Sequence, residues 1–466
     1  MLKKKSIVKT LIVYLLILNL PVLAMEGKDI ENLKSLPRQQ NIPTSVCPRW
    51  PLYAGATFLV ASIPVAYYLG LFESIFYKPY WRQLGNEIIG SKSVDLRFPR
   101  LSLSNGGDTV AITGHNLPDD NIADQFKSHI SVFKLKDQRW DQLGDDIITD
   151  ASLITSLSSS GNVVAVNAGS GSTKVFHYDS YWRQLGNEIP STGSATIKLS
   201  PDGNTIAIGN PNHRLSEGRS IGSGQVMVYQ YNSLKNYWVQ LGNELTAGLS
   251  EAHFGRSLAL SADGETLAIG APGTPEFEQV GGNAKVFKFD RQQNEWLQQG
   301  GNITGKITFG IELSLSSDGE TLAVGCPFEG NYRGVVRTYK KFNENWEKIG
   351  GDIIGEYDVY DRDNENIDLR SADGIGGVFR FSLSGDGKVI SLFFGFRPEL
   401  YRTKVFKLSS DKWEQLGSDI AKGDESSKPI SISISEDGSR VAISEVNEIL
   451  DGMARVFEYY YRFPRF

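Results

Sequence analysis

The stretch LALSADGETLAIG, residues Leu258–Gly270, alternates apolar and polar side chains on both sides of an Asp-Gly pair. Alternation with a period of two is typical of a β-strand with one buried face. An Asp-Gly pair between two such strands is a strong hairpin signal, because glycine adopts the positive φ of a tight turn without a steric penalty. The stretch therefore predicts an antiparallel β-hairpin.

The hairpin pattern occurs seven times, each time followed by an apolar strand of the Val-Phe-Lys-Phe type. The copies begin at Leu103, Leu157, Leu199, Leu260, Leu315, Leu383 and Ile434. A third unit, Trp-x-x-Leu-Gly-x-x-Ile or a close variant, begins at Trp81, Trp140, Trp182, Trp238, Trp296, Trp346 and Trp413. Four antiparallel strands per repeat, without a helical period, predict an all-β protein, a seven-bladed β-propeller with four-stranded antiparallel blades.

The order of the units at the two ends predicts how the propeller closes. The series begins with a tryptophan strand and ends with a Val-Phe strand that has no tryptophan strand after it. The first strand can therefore complete the last blade. We expect a propeller over residues 80–462 in which Tyr80–Ile89 pairs with Ala454–Tyr461.

The repeat HFGRSLALSADGETLAIGAPG, His253–Gly273, resembles the FG-GAP repeat of integrin α-chain propellers and of many exported bacterial proteins. It contains the Phe254-Gly255 pair, the Gly270-Ala271-Pro272 end and an Asp-Gly hairpin between them. The tryptophan unit is similar to the bacterial and algal variant of these repeats. Most blades lack the Phe-Gly pair. The resemblance supports the propeller fold but does not indicate a function.

The amino end has the features of a targeting region. Four lysines precede the apolar run Leu11–Leu23, and small residues follow, so residues 1–24 are predicted to be a signal peptide, with an uncleaved anchor helix as the alternative. Residues 25–51 form a polar linker. The uncharged run Leu52–Phe72 has the length of a transmembrane helix but contains proline and glycine, so the alternative is an apolar segment that packs on the propeller.

Charge and composition exclude several classes of protein. The net charge is −6, but residues 1–79 carry a surplus of five positive charges, so residues 80–466 carry −11. A nucleic-acid binder needs a basic surface, which this acidic propeller lacks. Two cysteines and five scattered histidines cannot form a disulfide framework or a cysteine- or histidine-rich metal site.

The acidic residues present two candidate cation sites. Family blades that bind calcium carry a longer acidic loop than the Ser-x-Asp-Gly turns here, so their aspartates are predicted to shape turns: Asp202, Asp263, Asp318, Asp386 and Asp437. The loop Glu356–Gly377 has alternately spaced acids, which makes a Ca²⁺ site conceivable at Asp361, Asp363, Glu365 and Asp368. Asn366 stands where a calcium loop has glycine, so a solvated acidic insertion is the alternative. No other cofactor is expected.

Partner-binding residues are expected in the loops of variable length, which family propellers place on one face. The candidate contact residues are aromatic or basic: Phe126, His213, Arg214, Phe277, Phe328, Tyr332, Arg333 and Tyr401. The alternative for each is that it covers a neighbouring blade. The repeated tryptophans are predicted to be core wedges, and Cys326 to be a buried, unreactive thiol.

The sequence contains no motif of a serine hydrolase, a phosphate-binding loop or a zinc protease. We therefore expect a non-catalytic, monomeric propeller that is exported to the periplasm, cell surface or medium, or anchored to a membrane, and binds a protein or glycan through its variable loops. The alternatives are a periplasmic envelope-assembly propeller resembling Tol-type proteins and a propeller hydrolase or lyase.

Overall fold

The repeated alternation of apolar and polar residues produces β-strands throughout the part of the chain that the structure describes. This computed structural model describes residues 79–89, 94–116, 127–150, 155–168, 171–192, 195–214, 222–247, 253–273, 281–330, 333–355, 380–394, 401–422, 427–447 and 452–460. These residues form 34 strands and no helix. The strands belong to one compact unit, Tyr80–Tyr460, and a second unit comprises residues 1–79 and 461–466.

The strands form seven antiparallel sheets, one for each repeat. The chain begins with β1 (Tyr80–Gln83) and β2 (Ile88–Ile89). Blade 1 contains β3 (Val94–Leu103), β4 (Thr109–Asn116), β5 (Lys127–Lys136), β6 (Arg139–Gln142) and β7 (Ile147–Asp150). Blade 2 contains β8 (Thr155–Leu157), β9 (Val163–Ala168), β10 (Ser172–Tyr178), β11 (Trp182–Gln184) and β12 (Ile189–Pro190). Blade 3 contains β13 (Thr196–Leu199), β14 (Thr205–Asn210), β15 (Gln225–Asn232), β16 (Tyr237–Gln240) and β17 (Leu245–Thr246).

The remaining blades repeat this order. Blade 4 contains β18 (Ser257–Leu260), β19 (Thr266–Ala271), β20 (Asn283–Asp290), β21 (Glu295–Gln298) and β22 (Ile303–Thr304). Blade 5 contains β23 (Glu312–Leu315), β24 (Thr321–Cys326), β25 (Val335–Phe342) and β26 (Asn345–Ile354). Blade 6 contains β27 (Arg380–Leu383), β28 (Val389–Phe394), β29 (Arg402–Ser409), β30 (Lys412–Gln415) and β31 (Ala421–Lys422). Blade 7 contains β32 (Ser427–Ile434), β33 (Arg440–Asn447) and β34 (Gly452–Tyr460).

Each blade has an inner, a second, a third and an outer strand, in chain order in blades 1 to 6, whereas the outer strand of blade 7 is β1 with β2. The seven inner strands contact one another in sequence around the axis, from β3 through β32 and back to β3. In six blades the outer strand is interrupted at the Leu-Gly pair of the tryptophan motif or its equivalent, and both pieces pair with the third strand. The seven-bladed propeller predicted from the repeats is therefore confirmed.

The amino-terminal strand completes blade 7, as predicted. Strand β1 pairs antiparallel with β34, with Trp81 opposite Tyr459, and β2 pairs with the same strand, with Ile88 opposite Ala454. Arg82 adds an ion pair with Glu458 at 3.1 Å. The two ends of the propeller are therefore held together in one sheet.

The motif tryptophans join neighbouring blades, which confirms their predicted structural role. In six blades the indole Nε1–H donates to the backbone oxygen three residues after the preceding motif tryptophan, as from Trp140 to Leu84 at 2.7 Å. The seventh, Trp413, donates to the hydroxyl of Thr338, which in turn donates to the oxygen of Ile349. These bonds satisfy each indole N–H at the blade boundary.

The motif glycine is required by the same contact. All seven glycines have positive φ, from 72° to 78°. A Cβ at Gly186 would lie 3.0 Å from the Trp238 ring of the next blade, and one at Gly350 would lie 2.5 Å from Trp413. The motif therefore conserves both the turn and the space for the next tryptophan within this chain.

The apolar core lies between blades. One cluster, for example, joins Val163 and Val175 of blade 2 to Ile197, Ile206 and other residues of blade 3. Among the residues described, no helix is long and apolar enough to span a membrane. The predicted signal peptide and the run Leu52–Phe72 lie outside the described residues.

Candidate functional site

The propeller has two faces that differ in their connections. On one, the turn face, the inner strand connects to the second and the third to the outer. On the other, the loop face, the second strand connects to the third and the outer to the next inner strand. Every connection from inner to second strand has five residues, whereas those from second to third range from three to fourteen. Variation in length is therefore concentrated on the loop face.

The Ser-x-Asp-Gly turns form a hydrogen-bonded unit on the turn face. In the turn at Ser200, the hydroxyl donates to Asp202 Oδ1 at 2.5 Å and accepts the backbone N–H of Thr205 at 2.9 Å. The carboxylate also accepts the N–H of Asn204. The other four turns with aspartate repeat the serine–aspartate bond, at Asp263, Asp318, Asp386 and Asp437. These aspartates are turn formers, as predicted.

The same turns are joined to one another around the axis. The backbone N–H of the residue after the turn serine donates to the equivalent carbonyl of the next blade in five places, for example from Ala262 to Ser317 at 2.9 Å. Pro201 cannot donate because it has no N–H. The carboxylate of Glu436 additionally accepts a hydrogen bond from the side chain of Asn105 at 2.6 Å. The five bonds therefore link the turns in two series, blade 2 to blade 3 and blades 4 to 7 and on to blade 1, and the described residues show no such bond from Asn105 or Pro201.

The predicted partner residues are distributed over different blades of the loop face. His213 and Arg214 follow β14 of blade 3; His213 is partly exposed and Arg214 exposed. Phe328 and Arg333 lie between β24 and β25 of blade 5, and both are partly exposed. Tyr401 precedes β29 of blade 6 and is 4 % exposed, so a partner contact would require the ring to leave its packed position. Phe126, Phe277 and Tyr332 lie outside the described residues.

The Phe-Gly pairs have a packing role at this face. Phe254 and Phe309 are each 1 % exposed. The N–H of Gly255 donates to Gly270 O at 3.0 Å, and a Cβ at Gly270 would lie 2.0 Å from the carbonyl oxygen of Gly310 in the next blade. The glycines at both ends of the repeat thus permit close approach of successive blades.

A network of charged side chains lies at the loop-face end of blade 5. Arg337 donates to Glu329 and Asp352, with 2.9 Å from Nη1 to Glu329 Oε2 and 3.2 Å from Nε to Asp352 Oδ1. The hydrogen bond from Arg337 lowers the pKa of Glu329. Burial opposes ionisation of Asp352, but hydrogen bonds from Lys348 and Arg337 lower its pKa overall. All four side chains are occupied by one another.

Asp352 belongs to the tryptophan motif of blade 5, and the acid at the equivalent motif position also forms an ion pair with the third strand in other blades. Third-strand Lys174 pairs with Glu188 at 3.1 Å, and Lys404 pairs with Asp419 at 3.8 Å. These pairs are not among the predictions from the sequence, although the acid recurs at a fixed distance from the tryptophan and could have signalled them. The pairing shows that this acid joins the outer strand to the third strand.

In blade 1 the equivalent acid, Asp146, contacts both a serine and a histidine, so the three residue types of a hydrolytic triad lie together. The Asp146 carboxylate accepts from Ser131 Oγ at 2.6 Å and lies 3.3 Å from His129 Nδ1. In a triad, histidine lies between the serine and the acid so that it can accept the serine proton. Here the acid lies between the other two, so the arrangement is a cross-strand contact rather than an activated nucleophile.

Cys326 is buried at the end of β24, as predicted. The residue is 1 % exposed, and its Sγ lies 3.7 Å from Thr308 Oγ1. Burial raises the pKa of the thiol to about 11. A thiol with this pKa is protonated at neutral pH and is a poor nucleophile.

Within the described residues, no group of three or more histidine, cysteine, aspartate or glutamate side chains could hold a metal ion. The predicted calcium ligands Asp361, Asp363, Glu365 and Asp368 lie outside those residues, so that site stays a prediction. Comparison of the chain with protein-family models and with curated proteins found no significant match.

Proposed function

We propose that this propeller is a non-catalytic binding protein whose loop face binds a protein or glycan partner. The observation that supports the proposal is the contrast between the two faces. The turn face has seven connections of equal length, most of them hydrogen-bonded to the next, whereas loop-face connections vary up to 25 residues. A rigid scaffold with variable loops on one face is a common arrangement for recognition.

We further propose that the repeats are of the FG-GAP type. The close approach of Gly270 and Gly310 and the buried Phe254 and Phe309 support this assignment, because they give the signature residues a structural reason. An exported or membrane-anchored location is also proposed, from the basic and apolar amino-terminal sequence. Cell fractionation with protease accessibility of the mature chain tests that location.

Photo-crosslinking in the cells that produce the protein tests the binding face. A photoreactive phenylalanine replaces Arg214 on the loop face or, as the control, Arg139 on the turn face, whose side chain is 75 % exposed. We expect a crosslinked product of defined mass at position 214 and none at position 139. Equal products at both positions, or a product at position 139 alone, would contradict the proposal. A glycan array probed with the full chain covers the case of a carbohydrate partner.

A further inference from the structure

The inner strands present one set of side chains to neighbouring blades and another to the central channel. Each inner strand has its second strand on one side, so its free edge faces the axis. One set of alternate residues is buried and mostly apolar, such as Leu101 and Leu103. The described members of the other set are mainly polar: Arg100, Ser102, Ser156, Thr196, Lys198, Ser257, Ala259, Glu312, Ser314, Arg380, Ser382, Ser431 and Ser433.

Serines of this second set join the inner strands of adjacent blades. The hydroxyl of Ser156 accepts the backbone N–H of Leu199 at 3.0 Å, and four other serines make the equivalent contact. The position is held by Lys198 in blade 3 and by Ala259 in blade 4, and neither side chain provides an acceptor for the N–H of the next blade. Lys198 is the only charged residue at this position among the seven described inner strands. The lysine therefore replaces a residue that stabilises the ring in five other blades.

Lys198 also occupies an unusual environment. Its side chain is exposed to solvent, yet it is desolvated by surrounding protein and interacts electrostatically with Glu312, which lies on the inner strand two blades away. A position facing the central channel accounts for both observations. Burial lowers the pKa of Lys198, and the carboxylate of Glu312 only partly offsets this effect. No hydrogen bond or ion pair of the Lys198 side chain is found in the described part of the chain, and Glu312 is itself paired with Arg380 at 3.5 Å.

The charges of the channel set oppose the charge of the propeller as a whole. The described channel residues include Arg100, Lys198 and Arg380 but only one acid, Glu312. Residues 80–466 together carry −11. A cationic site inside an acidic protein attracts anions selectively to that site. Lys198 also gives up the hydrogen bond that serine makes in other blades, and a residue that costs stability in this way is expected at a functional position.

We propose that Lys198 forms a binding site in the central channel for a small soluble oxyanion, a carboxylate or a phosphate. The ammonium group would donate charge-assisted hydrogen bonds to the anion and be neutralised by it. This site goes beyond the proposed partner binding and does not depend on it.

Calorimetric titration of the full chain tests the proposal. Citrate and inorganic phosphate are used as probes at low ionic strength, with potassium chloride of equal ionic strength as a blank. We expect saturable binding of one of the two anions at one site, which identifies carboxylate or phosphate as the preferred group. The variant Lys198→Ser, which restores the serine of other blades, should bind that anion at least about tenfold more weakly.

The control variant is Lys288→Ser, which removes an exposed lysine from the third strand of blade 4 and should bind like the unaltered chain. Without anion, Lys198→Ser should have an unfolding midpoint equal to or above that of the unaltered chain, because serine restores an inter-strand hydrogen bond. A lower midpoint would assign Lys198 a packing role and overturn the proposal. Absence of saturable binding of both anions, or equal binding by Lys198→Ser, would also overturn it.

Discussion

At the scale of single residues, the repeats use one small set of side chains for the same contact in blade after blade. The motif glycine leaves room for the next tryptophan, and the turn serine and aspartate satisfy each other and two backbone N–H groups. Where a blade departs from the set, another group can compensate, as Thr338 does between Trp413 and Ile349. Lys198 is a departure for which the described residues show no such compensation.

Cys326 provides a prediction at this scale. Because burial raises its pKa from 9.0 to about 11, the folded state keeps the thiol protonated while the unfolded state ionises. The stabilising contribution is complete below pH 9 and is lost as pH rises towards 11, by about 2 kcal/mol. Denaturant titration should show a steeper loss over this range for the Cys47→Ser chain than for its Cys326→Ala derivative.

Thiol labelling provides an independent measurement on the same pair of variants. In the Cys47→Ser chain, Cys326 should react with a chromogenic disulfide at pH 8 only after unfolding in guanidinium. Rapid labelling of the folded chain, or identical pH dependence of the two variants, would disprove the buried, protonated thiol.

At the scale of strands, the outer strand of each blade has the weakest attachment, because it pairs along one edge only and is interrupted in most blades. Side-chain contacts between the outer and third strands strengthen this edge. The ion pairs Lys174–Glu188, Arg337–Asp352 and Lys404–Asp419 lie at equivalent positions. Blade 5, in which Arg337 also holds Glu329, has the most extensive of these networks among the described residues.

Replacement of Arg337 by methionine tests the network in blade 5. The pKa values of Glu329 and Asp352 lie below their ordinary values of 4.5 and 3.8. The ionised carboxylates therefore stabilise the folded state fully above the ordinary pKa values. This stabilisation is lost as pH falls from the ordinary pKa values through the lowered ones. The variant should lose about 2 kcal/mol of unfolding free energy at pH 7, because it removes charged hydrogen bonds between partly buried side chains. Its stability should also depend less on pH below 4.5.

The matched control is Arg139→Met, because Arg139 is 75 % exposed and contacts Asp141 only at 3.9 Å. Surface pairs of this kind contribute little to stability. Equal losses in the two variants, measured by urea denaturation at pH 7 and pH 4, would show that the Arg337 network adds nothing specific.

At the scale of the whole molecule, closure determines whether seven similar sheets form one stable unit. No blade buries both of its faces alone, so each depends on its neighbours, and blade 7 depends on a strand from the opposite end of the chain. The cysteine pair Arg82→Cys and Glu458→Cys, at directly opposed positions, should form a disulfide and raise the unfolding midpoint, because it constrains the unfolded chain across the largest loop of the propeller.

Deletion of residues 79–90 is the converse experiment and should abolish cooperative thermal unfolding, since it opens the ring. The background for the cysteine pair is Cys47→Ser, and reduction of the disulfide should return the midpoint to that of the background. An unchanged cooperative melt after the deletion would refute the closure, as would a cysteine pair that stays reduced under oxidising conditions.

The sequence by itself determined the number of blades, the order of strands and the pairing of β1 with β34, because each rests on alternation, turn residues or repeat order within the chain. It also identified the aspartates as turn formers and the tryptophans as wedges. These features recur, so each copy supports the interpretation of the others.

Only the tertiary structure decided the contacts that join residues of different strands and blades. It buried Tyr401, paired Arg337 with two acids, and surrounded the exposed side chain of Lys198 with protein. In the sequence, lysine at residue 198 in place of serine resembles ordinary variation between repeats. Its environment becomes unusual only when the seven inner strands close around the axis. The sequence could not show this, because enclosure is a property of all seven inner strands together.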